Sequence, residues 1–179
     1  MKIGLVPGSF KPYHAGHDAL VRHAASHNSV VFVFYSVSSS KESVRDGLTG
    51  EKTSKIIIDY VEKSLPHNVQ MIPSTVPVSS VWEMLQKAEK SNLLDDIFTV
   101  YSDEVDILKY DKKSFLRWLP NLYTRNQIFA QGLKRGVQTP DVSGTLMRQY
   151  IAAKDFKKFS EMLPPSIKKH SKSILDILA

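Results

Sequence analysis

A chain of 179 residues with 42% apolar and 23% charged residues has the length and composition of one globular domain, which excludes a disordered or fibrous protein. It contains no cysteine, so disulfides and thiolate-held metals are ruled out, and no apolar run approaches the ~20 residues of a membrane span. Its 24 basic against 18 acidic residues, a net charge of +6, favour anionic partners, and nucleotide phosphates and nucleic acid both fit that balance.

The first residues, MKIGLVPGSF, lack the length and cleavage pattern of a signal peptide, so a cytoplasmic protein is expected. Residues 2–7, KIGLVP, read as a buried strand. Residues 15–27 read as a helix whose Ala19, Leu20, Ala24 and Ala25 share one face. VVFVFYSV, 30–37, is continuously apolar, as a strand buried on both sides must be. A Ser-rich loop, 38–50, leads to the amphipathic helix EKTSKIIIDYVEKSL and the short strand NVQMIP. Residues 79–92 read as a helix with Ser79 or Ser80 as its N-cap, and DIFTVYS, 96–102, as a further strand.

The stretch 103–136 mixes Tyr110, Phe115, Trp118, Tyr123 and Phe129 with lysines and arginines and has no clean period. Beyond it the chain reads as helical from 143 to 179, with Pro164 and Pro165 at the first turn of the last helix. There is no repeat and no linker, so a single domain over 1–179 is expected. The strand–helix alternation predicts an α/β fold: a Rossmann-like doubly wound parallel sheet of about five strands, with helices on both faces and a helical C-terminal tail.

In such a sheet, ligands bind beyond the carboxyl ends of the strands, near the point where strand order reverses. The first strand runs straight into GSFKPYHAGH, residues 8–17, so this loop falls at that edge. Gly8 allows a tight turn, and the helix that follows offers unpaired N–H groups and the positive end of its dipole to a phosphate. His14 and His17 can project from one side of the first helical turn, and Gly16 between them lets a ligand approach the backbone. Donors of this kind, aimed at charge that builds up during reaction, are each worth on the order of 3 kcal/mol. His23 and His27 repeat a metal-like spacing, but no third ligand is near and a solvated face is expected there.

A second constellation, VSGTLMRQYI, spans 142–151. Ser143 or Thr145 can cap a helix there, with Arg148 one turn inside it as a planar guanidinium suited to β- or γ-phosphates. GSFKPYHAGH resembles the G-x-F-x-P-x-H-x-G-H pattern of the cytidylyltransferase-like nucleotidyltransferases. That superfamily includes nicotinamide-mononucleotide, pantetheine-phosphate and glycerol-phosphate nucleotidyltransferases. VSGTLMR is similar to its second motif, I-S-S-T-x-x-R, with Val142 in place of Ile and Gly144 in place of the second Ser.

The resemblance implies transfer of CMP or AMP from CTP or ATP to a small phosphorylated acceptor, with release of pyrophosphate. It implies His14, His17 and Arg148 as catalytic residues, with Gly8, Ser9, Phe10, Gly16, Ser143 and Thr145 binding the nucleotide. Asp103 is either an acceptor contact or turn chemistry, and Lys11 either meets an acceptor phosphate or is a surface lysine. Lys41 is a further acceptor candidate, with Arg45, Lys52 and Lys55 as basic neighbours. Residues 103–136 stand where acceptor specificity varies, with Arg117, Trp118 and Arg125 able to grip an anion, cover the sheet edge or join subunits. Such a reaction needs no protein nucleophile, and Mg²⁺ would be carried mainly by the phosphates. No metal site built by the chain and no membrane contact are expected, and a homo-oligomer is compatible.

The alternative is a catalytically silent nucleotide- or RNA-binding module on the same fold. Its support is the lysine-rich tail (Lys154, Lys157, Lys158, Lys168, Lys169 and Lys172), which reads equally as the polar faces of terminal helices. KHSKS, 169–173, is taken as part of the last amphipathic helix.

Overall fold

The computed structural model describes residues 1–91 and 95–179. Strand β1 (Lys2–Gly8) is followed by helix α1 (Ala15–His27) and strand β2 (Val30–Ser36). Next come α2 (Gly50–Ile56), a π-helical turn over Ile57–Val61, and the short α3 (Glu62–Ser64). Strand β3 (Val69–Ser74), helix α4 (Pro77–Ser91) and strand β4 (Ile97–Asp103) complete the first pattern. The five strands, with β5 (Ile128–Leu133) at one edge, are all parallel in the order β3-β2-β1-β4-β5. This is the doubly wound α/β sheet expected from the alternation, with helices on both faces.

The inner strands bury side chains on both sides, as their unbroken apolar runs require. On one face Val6, Val31, Val33 and Tyr35 pack with Leu20, Val21 and Ala24 of α1 and with Ile56, Ile57 and Val61. On the other, Ile3, Leu5, Phe34, Phe98 and Val100 pack with Val81, Leu85 and Ala88 of α4. Each fully buried Leu or Ile contributes roughly 1.5–3 kcal/mol, so two apolar layers suffice to hold a sheet of this size. The chain moves outward from β1 through β2 to β3, then returns to β1's other side as β4. The loops after β1 and β4 therefore diverge, and a crevice opens between their carboxyl ends.

Several expected boundaries shift. Helix α4 begins at Pro77 rather than Ser79, because proline's fixed φ suits a first helical position. Ser79 and Ser80 therefore lie inside the helix, and the Ser80 hydroxyl bonds Ser74 Oγ (2.5 Å) instead of capping. Position 92, the expected last residue of that helix, lies outside the described residues. The unassigned stretch 103–136 holds a 3₁₀ turn over Asp106–Lys109, α5 (Lys112–Trp118), α6 (Pro120–Thr124) and β5. The Glu89 carboxylate of α4 accepts from the N–H groups of Asn121 (2.8 Å) and Leu122 (2.9 Å), tying α6 to the sheet.

The tail forms α7 (Gly144–Ala152), α8 (Phe156–Met162), a 3₁₀ turn over Pro165–His170 and α9 (Ser171–Leu178). Pro165 opens that 3₁₀ turn, not the last helix as expected. KHSKS consequently straddles a junction and does not lie within one helix. Among the described residues no helix is long and apolar enough to cross a membrane.

Candidate functional site

The loop from β1 to α1 is shaped by contacts that only its own residue types allow. Phe10 has a left-handed backbone (φ 52°) and is buried, its ring edge-on to His17 at 4.7 Å and to Tyr13 at 5.4 Å. A Cβ on Gly8 would lie 2.4 Å from the Phe10 ring, so only glycine leaves that ring its place. Lys11 is no surface lysine. It is buried, and its ammonium donates to the carbonyls of Ser38 (3.0 Å) and Ser43 (2.5 Å). Burial, with Arg45 nearby, lowers its pKa.

The two histidines form a reciprocal cap. His14 is the N-cap of α1, and its Nδ1 accepts from the backbone N–H groups of Gly16 (3.0 Å) and His17 (3.3 Å). His17 Nδ1 accepts in turn from the His14 N–H (3.3 Å). The rings stack, with centroids 3.6 Å apart and planes 17° from parallel. A nitrogen that accepts an N–H carries no proton, so each neutral ring bears its hydrogen on Nε2. Neither Nε2 has a hydrogen bond among the described residues, and both rings line the cleft. Capping and an unused donor thus coexist in the same ring at the cleft wall. The space beside Gly16 is filled by His14, whose Cε1 would lie 2.9 Å from an added Cβ. That glycine makes room for the cap, and it lines a small cavity beside His14, His17 and Arg135.

Burial, and then the Arg135 charge, push His14 down to about 3. Burial, His14 and Arg135 hold His17 well below the ordinary imidazole range. Both groups are neutral in the folded protein and titrate near 6.5 when unfolded, so the stability they confer is full above pH ~6.5 and is lost as pH falls below it, for His14 down to about 3. For His14 alone the slope is about 1.4 kcal/mol per pH unit between those limits. Urea unfolding from pH 7 to pH 4 should show His14→Asn with a shallower loss than wild type. Parallel curves would contradict the assignment.

Helix α7 supplies the second half. Its N-cap is Ser143, whose Oγ accepts from the Leu146 N–H (3.1 Å). Arg148 donates from Nη1 to the Lys11 carbonyl (2.9 Å), from Nη2 to Thr145 Oγ1 (3.2 Å) and from Nε to Asp46 Oδ2 (2.6 Å). Gly144 stands where a Cβ would come 2.9 Å from that guanidinium, which gives a steric reason for glycine there. A cleft of about 260 Å³ at the carboxyl ends of β1 and β4 is lined by His14, His17, Gly144 and Arg148. Gly8, Ser9, Phe10, Lys11, Asp103 and Asp106 complete much of its wall.

Other expected residues take different places. Ser143 and Thr145 are not among the residues lining this cleft; Ser143 caps α7 and Thr145 bonds Arg148. Asp103 Oδ1 accepts from the N–H groups of Val105 (2.9 Å) and Asp106 (2.7 Å), so it does turn chemistry while also lining the cleft. Lys41 is exposed and is not part of the cleft wall, Lys52 bonds the Ala179 backbone oxygen (3.4 Å), and Lys55 pairs with Asp59 (2.9 Å). Arg117 lies over the Trp118 ring at 4.8 Å, and neither these two nor Arg125 lines the cleft. His23 leans on Gln131 (3.3 Å) with His27 beside it at 4.4 Å, on a partly solvated face.

Two further arginines enter the cleft. Arg45, one of the basic neighbours expected beside Lys41, lines the cleft from the loop after β2. Arg135 enters from the turn after β5 and has no ion-pair partner among the described residues. Its turn is set by Gly136 (φ 78°) and the Gly136 N–H to Thr139 carbonyl bond (2.8 Å). No local pattern announces it.

No protein-family model and no curated protein matches this chain in sequence. Solved structures do match in fold. One is a provisionally assigned nicotinate-nucleotide adenylyltransferase from Vibrio parahaemolyticus, with a TM-score of 0.56 and 16% identity over 99% of this chain and 96% of that one. Another is a bifunctional NMN adenylyltransferase/ADP ribose pyrophosphatase from Francisella tularensis, with a TM-score of 0.60 and 14% identity. This chain is covered over 98% of its length there and spans 50% of that longer chain. At these identities the likeness is one of fold.

Proposed function

We propose that the protein is a nucleotidyltransferase. It transfers a nucleoside monophosphate from a nucleoside triphosphate to a small phosphorylated acceptor. The observation that carries this reading is the meeting of His14, His17 and Arg148 in one cleft at the sheet's switch point. An acceptor phosphate oxygen attacks the α-phosphorus, the bond to the bridging oxygen breaks, and pyrophosphate leaves with the electron pair. The acceptor is already ionised, so no general base is required. The Nε2–H groups of His14 and His17 donate to the α-phosphoryl oxygens as charge builds up, and Arg148 and Arg135 hold the β- and γ-phosphates.

Magnesium, if carried, would ride on the phosphates, where it neutralises charge. The acids of the cleft fit it poorly as direct ligands: one Asp103 oxygen serves a turn and Asp106 pairs with Lys109 (3.4 Å). Among the described residues no three His, Asp or Glu side chains form a metal cluster.

A second cavity of about 240 Å³ shares Gly8, Ser9, Ser102 and Asp106 with the first and extends to Val78, Lys109 and Tyr110. Behind it, Trp82 stacks on Tyr110 at 5.5 Å. A pocket with apolar walls and a lysine suits an acceptor that carries both a ring and a phosphate. With adenylyl transfer in the names of both fold neighbours, the reading favours ATP over CTP and a pyridine mononucleotide as acceptor.

The test is pyrophosphate release on incubating the protein with each nucleoside triphosphate, Mg²⁺ and a panel of phosphomonoesters. Val78→Trp, which fills the second cavity, should raise the acceptor KM about tenfold and leave the nucleotide KM within about twofold. Nucleotide binding without pyrophosphate release from any acceptor would favour the silent-module alternative.

A further inference from the structure

The loop after β2 ends in a two-residue turn whose tip reaches Arg148. Arg45 and Leu48 exchange backbone hydrogen bonds (2.8 and 3.3 Å) around Asp46 (φ 48°) and Gly47 (φ 80°). Positive φ at both central positions is the turn geometry that the Asp-Gly pair favours. The base of the loop is pinned, since the buried Lys11 ammonium holds the Ser38 and Ser43 carbonyls. The tip is not pinned in that way. Its one charged contact among the described residues is Asp46 Oδ2 on Arg148 Nε, at 2.6 Å.

The two partners differ in how they are held. The Arg148 side chain is 15% exposed and is fixed from behind by the Lys11 carbonyl and Thr145, whereas Asp46 is 67% exposed. An anion entering the cleft therefore meets a guanidinium with three of its five N–H groups already donating, and of their acceptors Asp46 is the charged and exposed one that can yield. We propose that Asp46 and the pyrophosphate portion of the nucleotide exchange at Arg148. This rests on the nucleotidyltransferase reading. Asp46 then sets a threshold: phosphates that reach Arg148 compete with a carboxylate for its charge and its Nε–H, and a monophosphate that stops at the imidazoles meets no such competitor. After transfer, Asp46 competes with the product and shortens the stay of pyrophosphate.

Calorimetric titration of the full chain with inorganic pyrophosphate, ATP and AMP tests the exchange, using wild type and Asp46→Asn. Asparagine tolerates the left-handed backbone and removes only the charge. Asp46→Asn should bind pyrophosphate and ATP about three- to tenfold more tightly, with AMP unchanged and the gain shrinking at high salt. An unchanged melting temperature would show that the turn is intact. Equal or weaker pyrophosphate binding by an intact Asp46→Asn would overturn the exchange while leaving the nucleotidyltransferase reading in place. Wild type that binds neither pyrophosphate nor ATP would overturn both.

Discussion

His17→Ala is expected to lower kcat by about two to three orders of magnitude while costing the fold about 1 kcal/mol. The asymmetry follows from the two edges of one ring. Nδ1 accepts a single backbone N–H from His14, at 3.3 Å, and its loss exposes a helix-start donor that water can satisfy. Nε2–H has no partner among the described residues and faces the cleft, where its worth appears only as charge develops on the transferring phosphoryl group. His14→Asn separates the same two roles at the neighbouring position, because an asparagine side chain can still cap α1 but cannot present the imidazole donor. Its melting temperature should stay near that of wild type while its turnover falls. Steady-state kinetics beside thermal unfolding decides the matter: near-normal kcat in His17→Ala would remove the imidazoles from the chemistry.

Arg148→Ala is expected to raise the nucleotide KM by about two orders of magnitude, with a smaller fall in kcat. Removing the guanidinium takes away the charge offered to the β- and γ-phosphates. It also frees the Lys11 carbonyl and Thr145, which the side chain now bridges. Arg148→Lys should recover charge without the fork of donors, and so only part of the affinity. The opposite signs predicted for Arg148→Ala and Asp46→Asn, one weakening and one tightening pyrophosphate binding, make the pair a stronger test than either variant alone. If Arg148→Ala left nucleotide KM unchanged, the cleft would bind its ligand in some other orientation.

The stretches legible in the sequence share one property: their signals are local. Helix α1 was legible to the residue, Ala15–His27, because its apolar face repeats with helical period and its cap lies within three positions. The unbroken apolar runs of β1, β2 and β4 are local in the same sense. Strand β5 was not legible. As an edge strand it buries only its end residues fully and exposes Phe129, so IFAQGL carries neither an apolar run nor a clean alternation. Helix α2 was legible as one amphipathic segment, but its π turn at Ile57–Val61 was not, since the apolar pattern there does not separate an i→i+5 turn from an i→i+4 one.

By itself, the sequence determined the strand–helix alternation through β4, the β1–α1 loop as the ligand edge, and a helix capped at Ser143 or Thr145. Each depends on steric or hydrogen-bond relations among residues a few positions apart. Only the tertiary structure decided which charges meet. Arg148 lies 102 positions from Asp46 and 137 from Lys11, and Arg135 shares the cleft wall with both imidazoles from the turn after β5. Such meetings have no period and no spacing, because they are set by how a parallel sheet brings the carboxyl ends of distant strands to one edge.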